Sequence, residues 1–108
     1  MARLTLNVTI DRPIGYDHEG TIYPINYGYV AGVMGGDGEE QDAYVLTAGD
    51  QPLETFTGQL IAVVHRADDD ETKWVVTDFG KSYTADDIMT RIAFMEQYFE
   101  STLELVEE

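Results

Sequence analysis

The sequence predicts a mainly β fold with one C-terminal helix, arranged as a small β-barrel of the oligonucleotide/oligosaccharide-binding (OB) type. Two observations support this class. Short apolar and aromatic stretches typical of strands, the first of them alternating, recur through the first three quarters of the chain, separated by glycine, proline and acidic turns. A helical spacing of apolar residues occurs only in the last quarter. Five or so short strands followed by one helix fit a barrel, or a partly open sheet, that a helix caps.

The strands are placed by alternation and by turn residues. The first strand, 4–10, alternates apolar with polar residues and stops at Arg12-Pro13, because proline cannot donate to a sheet ladder. Residues 14–20 are expected to form a loop, and 21–33 an aromatic, glycine-punctuated extended stretch. Further strands are expected at 43–46, 58–65 and 73–76. These segments together supply the strands of the predicted barrel.

The helix is predicted from its cap and its apolar spacing. Thr84 with Asp87 three residues later matches a capping box, and acidic residues favour the positive start of a helix. Apolar residues then recur at helical spacing, at Ile88, Ile92, Met95 and Phe99. We therefore expect a helix from about Ala85 to about Ser101, followed by a frayed tail.

The chain is strongly acidic, with 21 Asp and Glu residues against 6 Lys and Arg residues and a formal net charge of −15. The few cations are scattered, so nucleic acid, which needs clustered Lys and Arg, is a poor partner. At 108 residues we expect a single domain spanning 1–108. No apolar run reaches the roughly 20 residues that cross a bilayer, and we recognise no export signal and find no cysteine. We expect a cytoplasmic protein with no membrane partner.

Residues 37–42 (DGEEQD) form the most informative polar cluster. Three carboxylates, Asp37, Glu39 and Asp42, come from one short turn that Gly38 permits, and such oxygen ligands suit hard cations like Mg²⁺. An EF-hand calcium loop does not fit, because strands are expected on both sides and the twelfth position is Ala48. Composition alone leaves an ordinary acidic surface loop as the alternative.

The sequence segments around this loop are more specific to one protein family than the loop itself. Residues 23–30 (YPINYGYV), followed after a spacer by 37–46 (DGEEQDAYVL), resemble the signature region of the soluble family of inorganic pyrophosphatases. In that family a Y-P-x-N-Y-G-Y/F segment precedes D-G-D-P/E-x-D. Weaker similarity extends to residues 8–13, 71–73 and 96–98. The resemblance implies an OB-like inorganic pyrophosphatase fold, assembly from identical subunits, and Mg²⁺-dependent (or Mn²⁺-dependent) hydrolysis of pyrophosphate to two phosphates by metal-activated water.

The resemblance also implies roles for individual residues. The implied metal ligands are Asp37, Glu39, Asp42, Asp69 and Glu71. The catalytic residues would be Glu39 as the proton acceptor, Asp42, and Tyr27, which is similar to a tyrosine that steadies the acidic cluster. The substrate-binding residues would be Lys73, Tyr98, Asp11 at the end of the first strand, and Arg12.

Several positions depart from the family pattern. Glu39 stands where the family prefers Asp, and Phe99 replaces a lysine. The short stretch 14–22 takes the place of a longer hairpin that carries cations onto the substrate. Candidates to replace the missing cations are Arg12, His18, Arg66 and Lys73. Two alternatives therefore stay open: a hydrolase of another phosphoanhydride or phosphate ester, and a non-catalytic member that binds metal or a protein partner.

Overall fold

The computed structural model of the chain describes residues 3–36, 38–67 and 72–106. These residues form one helix and eight strands, two of them only two residues long. In chain order the elements are β1 Thr5–Arg12, β2 Asp17–His18, β3 Thr21–Ile22, β4 Asn26–Met34, β5 Glu40–Leu46, β6 Thr55–Arg66, β7 Thr72–Thr77, α1 Ala85–Glu96 and β8 Ser101–Leu105. No helix in the described part of the chain is long and apolar enough to span a membrane.

Five strands close into a barrel in the order β1-β4-β5-β7-β6, because β6 pairs back onto β1. The length of β6 makes this closure possible. Residues 55–59 of β6 pair with β1, and residues 62–66 pair with β8. Residues 59–65 pair with β7 along the other edge of the strand. The β5–β7 pair is parallel and the other pairs are antiparallel. The predicted class, mainly β with one helix on a small barrel, is confirmed.

Two apolar clusters lie on opposite faces of the barrel wall. Along β5 the buried side chains alternate, so that Ala43 and Val45 join one cluster while Tyr44 and Leu46 join the other. The first cluster draws members from all five barrel strands and therefore fills the barrel interior. The second includes Ile88 and Ile92 of α1, which are fully buried. The helix thus covers the outer face of the barrel wall on the Tyr44 side.

The helix begins as predicted but ends earlier. The Thr84 side chain accepts a hydrogen bond from the backbone N–H of Asp87, which confirms the cap. The last helical residue is Glu96, not a residue near Ser101, and Ser101–Leu105 forms strand β8 in place of a helical turn and a frayed tail. The prediction was wrong here because the edge of β6 offers this segment a complete ladder of backbone partners, which local spacing does not reveal.

Asn26 and Gly28, the residues on either side of Tyr27, each have a structural role in the barrel. Asn26 is fully buried; its Oδ1 accepts hydrogen bonds from the backbone N–H groups of Ile14 and Leu53, and its Nδ2 donates to the carbonyl of Gln51. It therefore ties two loops to β4. At Gly28 a Cβ atom would lie 1.8 Å from the carbonyl oxygen of Thr9, so β1 and β4 approach each other as closely as they do only because the residue is glycine.

Candidate functional site

A β-bulge in β1 brings two consecutive side chains to the same place. Ile10 pairs with Gly28 and Arg12 pairs with Tyr27, so Asp11 is the extra residue between adjacent pairs. In a regular strand Asp11 and Arg12 would point to opposite faces. Because of the bulge, both line one pocket beside the end of α1.

This charged pocket, with a volume of about 240 Å³, contains five of the residues that the sequence assigned to the site. Its cationic side chains are Arg12, Arg66 and Lys73, and its carboxylates are Asp11 and Asp42. The remaining lining residues are Tyr23, Tyr27, Tyr44 and Met95. The charged groups come from β1, β5, β6 and β7, so the pocket exists only when the barrel has closed.

Asp42 lies at the centre of the polar contacts in the charged pocket. Its Oδ2 accepts a hydrogen bond from the Lys73 ammonium at 2.5 Å, within an ion pair whose lysine side chain is almost entirely buried. The Tyr27 hydroxyl is hydrogen-bonded to the same carboxylate. Burial, followed by the negative charge of Asp42 and this hydrogen bond, raises the pKa of Tyr27. Tyr27 therefore stays protonated, and its hydrogen bond holds Asp42 in one orientation.

Asp11 lies at the exposed rim of the pocket, close enough to Asp42 for each charge to act on the other. The pKa of Asp11 is raised, chiefly because the surrounding protein partly removes its solvent; Asp42 adds to the rise and Arg12 opposes it. Two carboxylates facing one small pocket are the hard oxygen donors that Mg²⁺ takes, so the donor chemistry fits such a cation. Within 3–36, 38–67 and 72–106, no group of three or more His, Asp and Glu residues is arranged to hold a metal.

Arg12 is held by tyrosines. Its Nη1 donates to the Tyr23 hydroxyl at 2.7 Å, and its guanidinium carbon lies 5.8 to 5.9 Å from the ring centroids of Tyr16, Tyr23 and Tyr27. Tyr23 itself is buried and packs edge-to-face against Tyr27. Aromatic faces attract a guanidinium, so this arrangement places a positive charge at the pocket with few alternative rotamers.

Arg66 is held by the buried carboxylate of Glu96, which the sequence analysis did not assign to the site. Its Nε and Nη2 donate to Oε1 and Oε2 of Glu96 at 3.1 and 2.6 Å. Glu96 also accepts hydrogen bonds from the hydroxyls of Tyr44 (2.5 Å) and Ser101 (2.6 Å). Burial opposes the ionisation of Glu96, but these three donors outweigh it, and the pKa of Glu96 is lowered.

The sequence contained little that pointed to Glu96. Residues 96–98 have only weak similarity to the family. The hydrogen-bonding partner Tyr44 is 52 positions away in the chain, so local spacing does not reveal the contact. Arg66, in contrast, had been named among the candidates to replace missing cations, and it lines the pocket. His18, named with it, lies on β2 and is not among the described residues that line the pocket.

The other predicted site residues lie elsewhere. Glu39 is exposed in the turn that leads into β5, and Tyr98 is 70% exposed just beyond the end of α1. Neither is among the described residues that line the charged pocket, so both roles stay predictions. The predicted metal ligands Asp37, Asp69 and Glu71 fall outside the described residues.

The Glu96 network makes stability sensitive to acid. A carboxylate whose pKa is lower in the folded than in the unfolded state stabilises the fold above its unfolded pKa, about 4.3 for Glu, and loses this effect as pH falls through the folded pKa. We therefore expect the free energy of unfolding, measured with urea, to fall more steeply below about pH 4 in the natural protein than in Glu96→Gln. A control, Glu100→Gln, removes an exposed carboxylate and should retain the steep fall. Parallel curves for the natural protein and Glu96→Gln would contradict the network's role.

Comparison by sequence finds no relative: no family model matches the chain, and no curated protein matches it. Comparison of folds finds several. The chain is similar to the inorganic pyrophosphatase of Ehrlichia chaffeensis, with a TM-score of 0.70 and 17% identity over 94% of this chain and 86% of that one. It is similar to the inorganic pyrophosphatase of Neisseria gonorrhoeae, with a TM-score of 0.64 and 22% identity over 87% and 73% of the two chains. It is also similar to the inorganic pyrophosphatase of Helicobacter pylori, with a TM-score of 0.64 and 16% identity over 98% of this chain and 86% of that one. At these identities the likeness establishes the fold, and the predicted OB-like inorganic pyrophosphatase fold is confirmed.

Proposed function

We propose that this protein hydrolyses inorganic pyrophosphate to two phosphates and depends on Mg²⁺ to do so. The observation that carries the proposal is the convergence of Asp11, Arg12, Tyr27, Asp42 and Lys73 on one charged pocket. These residues were selected from sequence segments that resemble inorganic pyrophosphatases. Further support comes from the fold, which this chain shares with solved inorganic pyrophosphatases.

Asp42 would hold the metal at the described pocket, and we add Asp11, which the resemblance assigned to the substrate, because its carboxylate lines the same pocket. Asp37, Glu39, Asp69 and Glu71 are proposed as further ligands on the family resemblance alone. Divalent cations bound at such a site neutralise phosphate oxygens and lower the pKa of bound water towards neutrality. Mn²⁺ prefers similar ligands, so we expect it to substitute for Mg²⁺. The net charge of −15 repels a polyanionic substrate, so divalent cations would have to neutralise the carboxylates at the site before such a substrate binds.

The protein's own groups would bind and orient the substrate. Lys73 and Arg12 offer positive charge to the phosphate oxygens from two different strands, β7 and β1. Tyr27 keeps Asp42 oriented through its hydrogen bond. Glu39, three residues before Asp42, is the proposed acceptor of the proton from the attacking water, on the family resemblance alone.

The size of the pocket favours pyrophosphate over a larger phosphoanhydride or ester. At about 240 Å³ it is smaller than the roughly 300 to 1,000 Å³ of pockets that enclose drug-sized ligands. Its walls offer three cationic side chains and three tyrosines, which suits a small, highly charged anion better than a nucleoside. The number of cations also favours an enzyme over a non-catalytic relative. The family pattern indicates that three substrate-binding cations are missing, and the pocket still contains three cationic side chains, those of Arg12, Arg66 and Lys73.

A phosphate-release assay tests this proposal. With the natural protein and Mg²⁺ we expect turnover of pyrophosphate, slower turnover of tripolyphosphate and ATP, loss of activity with a chelator, and recovery when Mg²⁺ or Mn²⁺ is added back. Faster turnover of ATP than of pyrophosphate would contradict the substrate. Calorimetric binding of Mg²⁺ without any phosphate release would instead favour a non-catalytic protein.

Assembly from identical subunits and a cytoplasmic location belong to the same proposal. The first rests on the family resemblance. The second rests on the lack of cysteine and of an apolar run long enough to cross a bilayer.

A further inference from the structure

We propose that Arg66 binds a phosphate group of the substrate and that Glu96, the last residue of α1, is the positioning residue that presents it. This inference rests on the proposed function. It assigns a third cation to the charged pocket, on β6, in addition to Arg12 on β1 and Lys73 on β7.

The geometry of the Arg66–Glu96 pair supports this role. Nε and Nη2 form the side edge of the guanidinium, and both donate to the Glu96 carboxylate. The Phe99 ring covers one face of the guanidinium, with its centroid 3.7 Å from the guanidinium carbon. Contacts on one edge and one face hold the planar group still. Arg66 lines the charged pocket from this fixed position.

Glu96 is suited to positioning and to little else. Its side chain is 1% exposed, and each of its two oxygens accepts two hydrogen bonds, from Arg66 together with Tyr44 or Ser101. A carboxylate so fully engaged has no capacity to hold a metal or take a proton in the reaction. What its contacts achieve is a defined orientation of Arg66.

The burial of this pair also needs an explanation that stability does not provide. The Arg66 side chain is only 9% exposed, and removing two charges from water costs about as much as their attraction returns. Apolar residues of similar size often stabilise a fold equally well or better. A buried pair at the wall of a pocket is better explained by a ligand, because a desolvated guanidinium binds phosphate oxygens strongly.

The three cations suit an anion with two phosphate groups. They come from three strands around a pocket of about 240 Å³, and arginine forms paired hydrogen bonds with two oxygens of one phosphate, which lysine does not. The chemistry recognised is a phosphate group, either of pyrophosphate or of the orthophosphate product. We expect Arg66 to contribute mainly to binding, so its loss should appear in KM more than in kcat.

The test compares four variants by steady-state kinetics with pyrophosphate and saturating Mg²⁺, and by thermal unfolding. Arg66→Lys keeps the positive charge but loses the planar guanidinium that forms paired hydrogen bonds. We expect KM to rise about 10- to 100-fold, the effect of one charge-assisted hydrogen-bonded contact. Glu96→Gln should raise KM less, because the amide oxygen still accepts one hydrogen bond from Arg66. Arg91→Met is the matched control, since Arg91 also lies over an aromatic ring, that of Tyr83, but on the exposed side of α1.

A double variant, Arg66→Met with Glu96→Leu, separates binding from folding. Replacing both partners with apolar residues leaves no unpaired buried charge, so the double variant should fold. Its unfolding temperature should fall moderately, because the Tyr44 and Ser101 hydroxyls lose their acceptor, while KM rises as in Arg66→Lys. If Arg66→Lys and the double variant are folded and retain the natural KM and kcat, the inference is wrong. A lower unfolding temperature in Glu96→Gln with an unchanged KM would show that Glu96 is only structural.

Failure of the proposed function would be recognised separately. If the natural protein releases no phosphate from pyrophosphate, calorimetry with pyrophosphate and with orthophosphate, each with and without Mg²⁺, still tests Arg66. Binding that weakens about tenfold or more in Arg66→Lys and not in Arg91→Met would support the inference for a non-catalytic phosphate-binding protein. Equal binding in the natural protein and in Arg66→Lys, or no binding at all, would overturn it.

Discussion

Replacing Asp42 with asparagine is expected to reduce pyrophosphate hydrolysis about 100- to 1,000-fold while leaving the fold intact. Asp42 carries one of the two carboxylates of the described pocket and receives hydrogen bonds from Lys73 and Tyr27. The substitution removes its negative charge and with it the proposed ligand of a metal; a divalent cation at such a site stabilises the transition state by several kcal/mol. The fold should survive, because the asparagine oxygen still accepts from Lys73 and the position is one third exposed.

The measurement is kcat/KM for pyrophosphate across a range of Mg²⁺ concentrations, with circular dichroism to check the fold. Asp50→Asn makes the same chemical change at an exposed loop position and should leave kcat/KM unchanged. If Asp42→Asn is as active as Asp50→Asn, the assignment of the charged pocket as the active site is wrong.

Replacing Gly28 with alanine is expected to lower the free energy of unfolding by about 3 kcal/mol. The added Cβ would lie 1.8 Å from the Thr9 carbonyl oxygen and 2.9 Å from the Ile10 Cα atom. These are backbone atoms and cannot swing aside, so β1 and β4 must separate where they pair. Because this is also where the bulge presents Asp11 to the pocket, the remaining folded protein should be less active.

Urea unfolding gives the stability, and Gly49→Ala is the control. A Cβ at Gly49 would meet no atom within 4 Å, so its unfolding free energy should stay within about 0.5 kcal/mol of the natural value. A Gly28→Ala protein as stable as Gly49→Ala would mean that the β1–β4 pair is looser than the structure indicates.

Much of this molecule was predictable because its local patterns and its tertiary structure agree. Short apolar and aromatic runs bounded by turn residues located the barrel strands, and the Thr84 cap located the start of α1. The segments 23–30 and 37–46 selected Tyr27 and Asp42, which are hydrogen-bonded to each other. Such features depend on residues close together in the chain, where spacing and side-chain chemistry carry the information.

Other features depended on contacts between distant segments, and only the tertiary structure decided them. Local spacing predicts a helix to about Ser101 and a frayed tail after it, yet residues 101–105 form β8 because β6 offers an open edge. Glu96 seemed an ordinary helical acid until the fold placed it against Arg66 and Tyr44. The bulge that turns Asp11 into the pocket reflects how β1 registers against β4.

The sequence by itself therefore determined the strands, the start of the helix and the acidic and aromatic residues from which the site is built. The tertiary structure decided which cations reach that site. The family pattern indicates that substrate-binding cations are missing, and the sequence contains four candidates to replace them but does not show which of them reach the site. The β6–β7 pair brings Arg66 close to Lys73, and closing the barrel brings Arg12 on β1 to the same pocket, although Arg12 lies far from both in the chain.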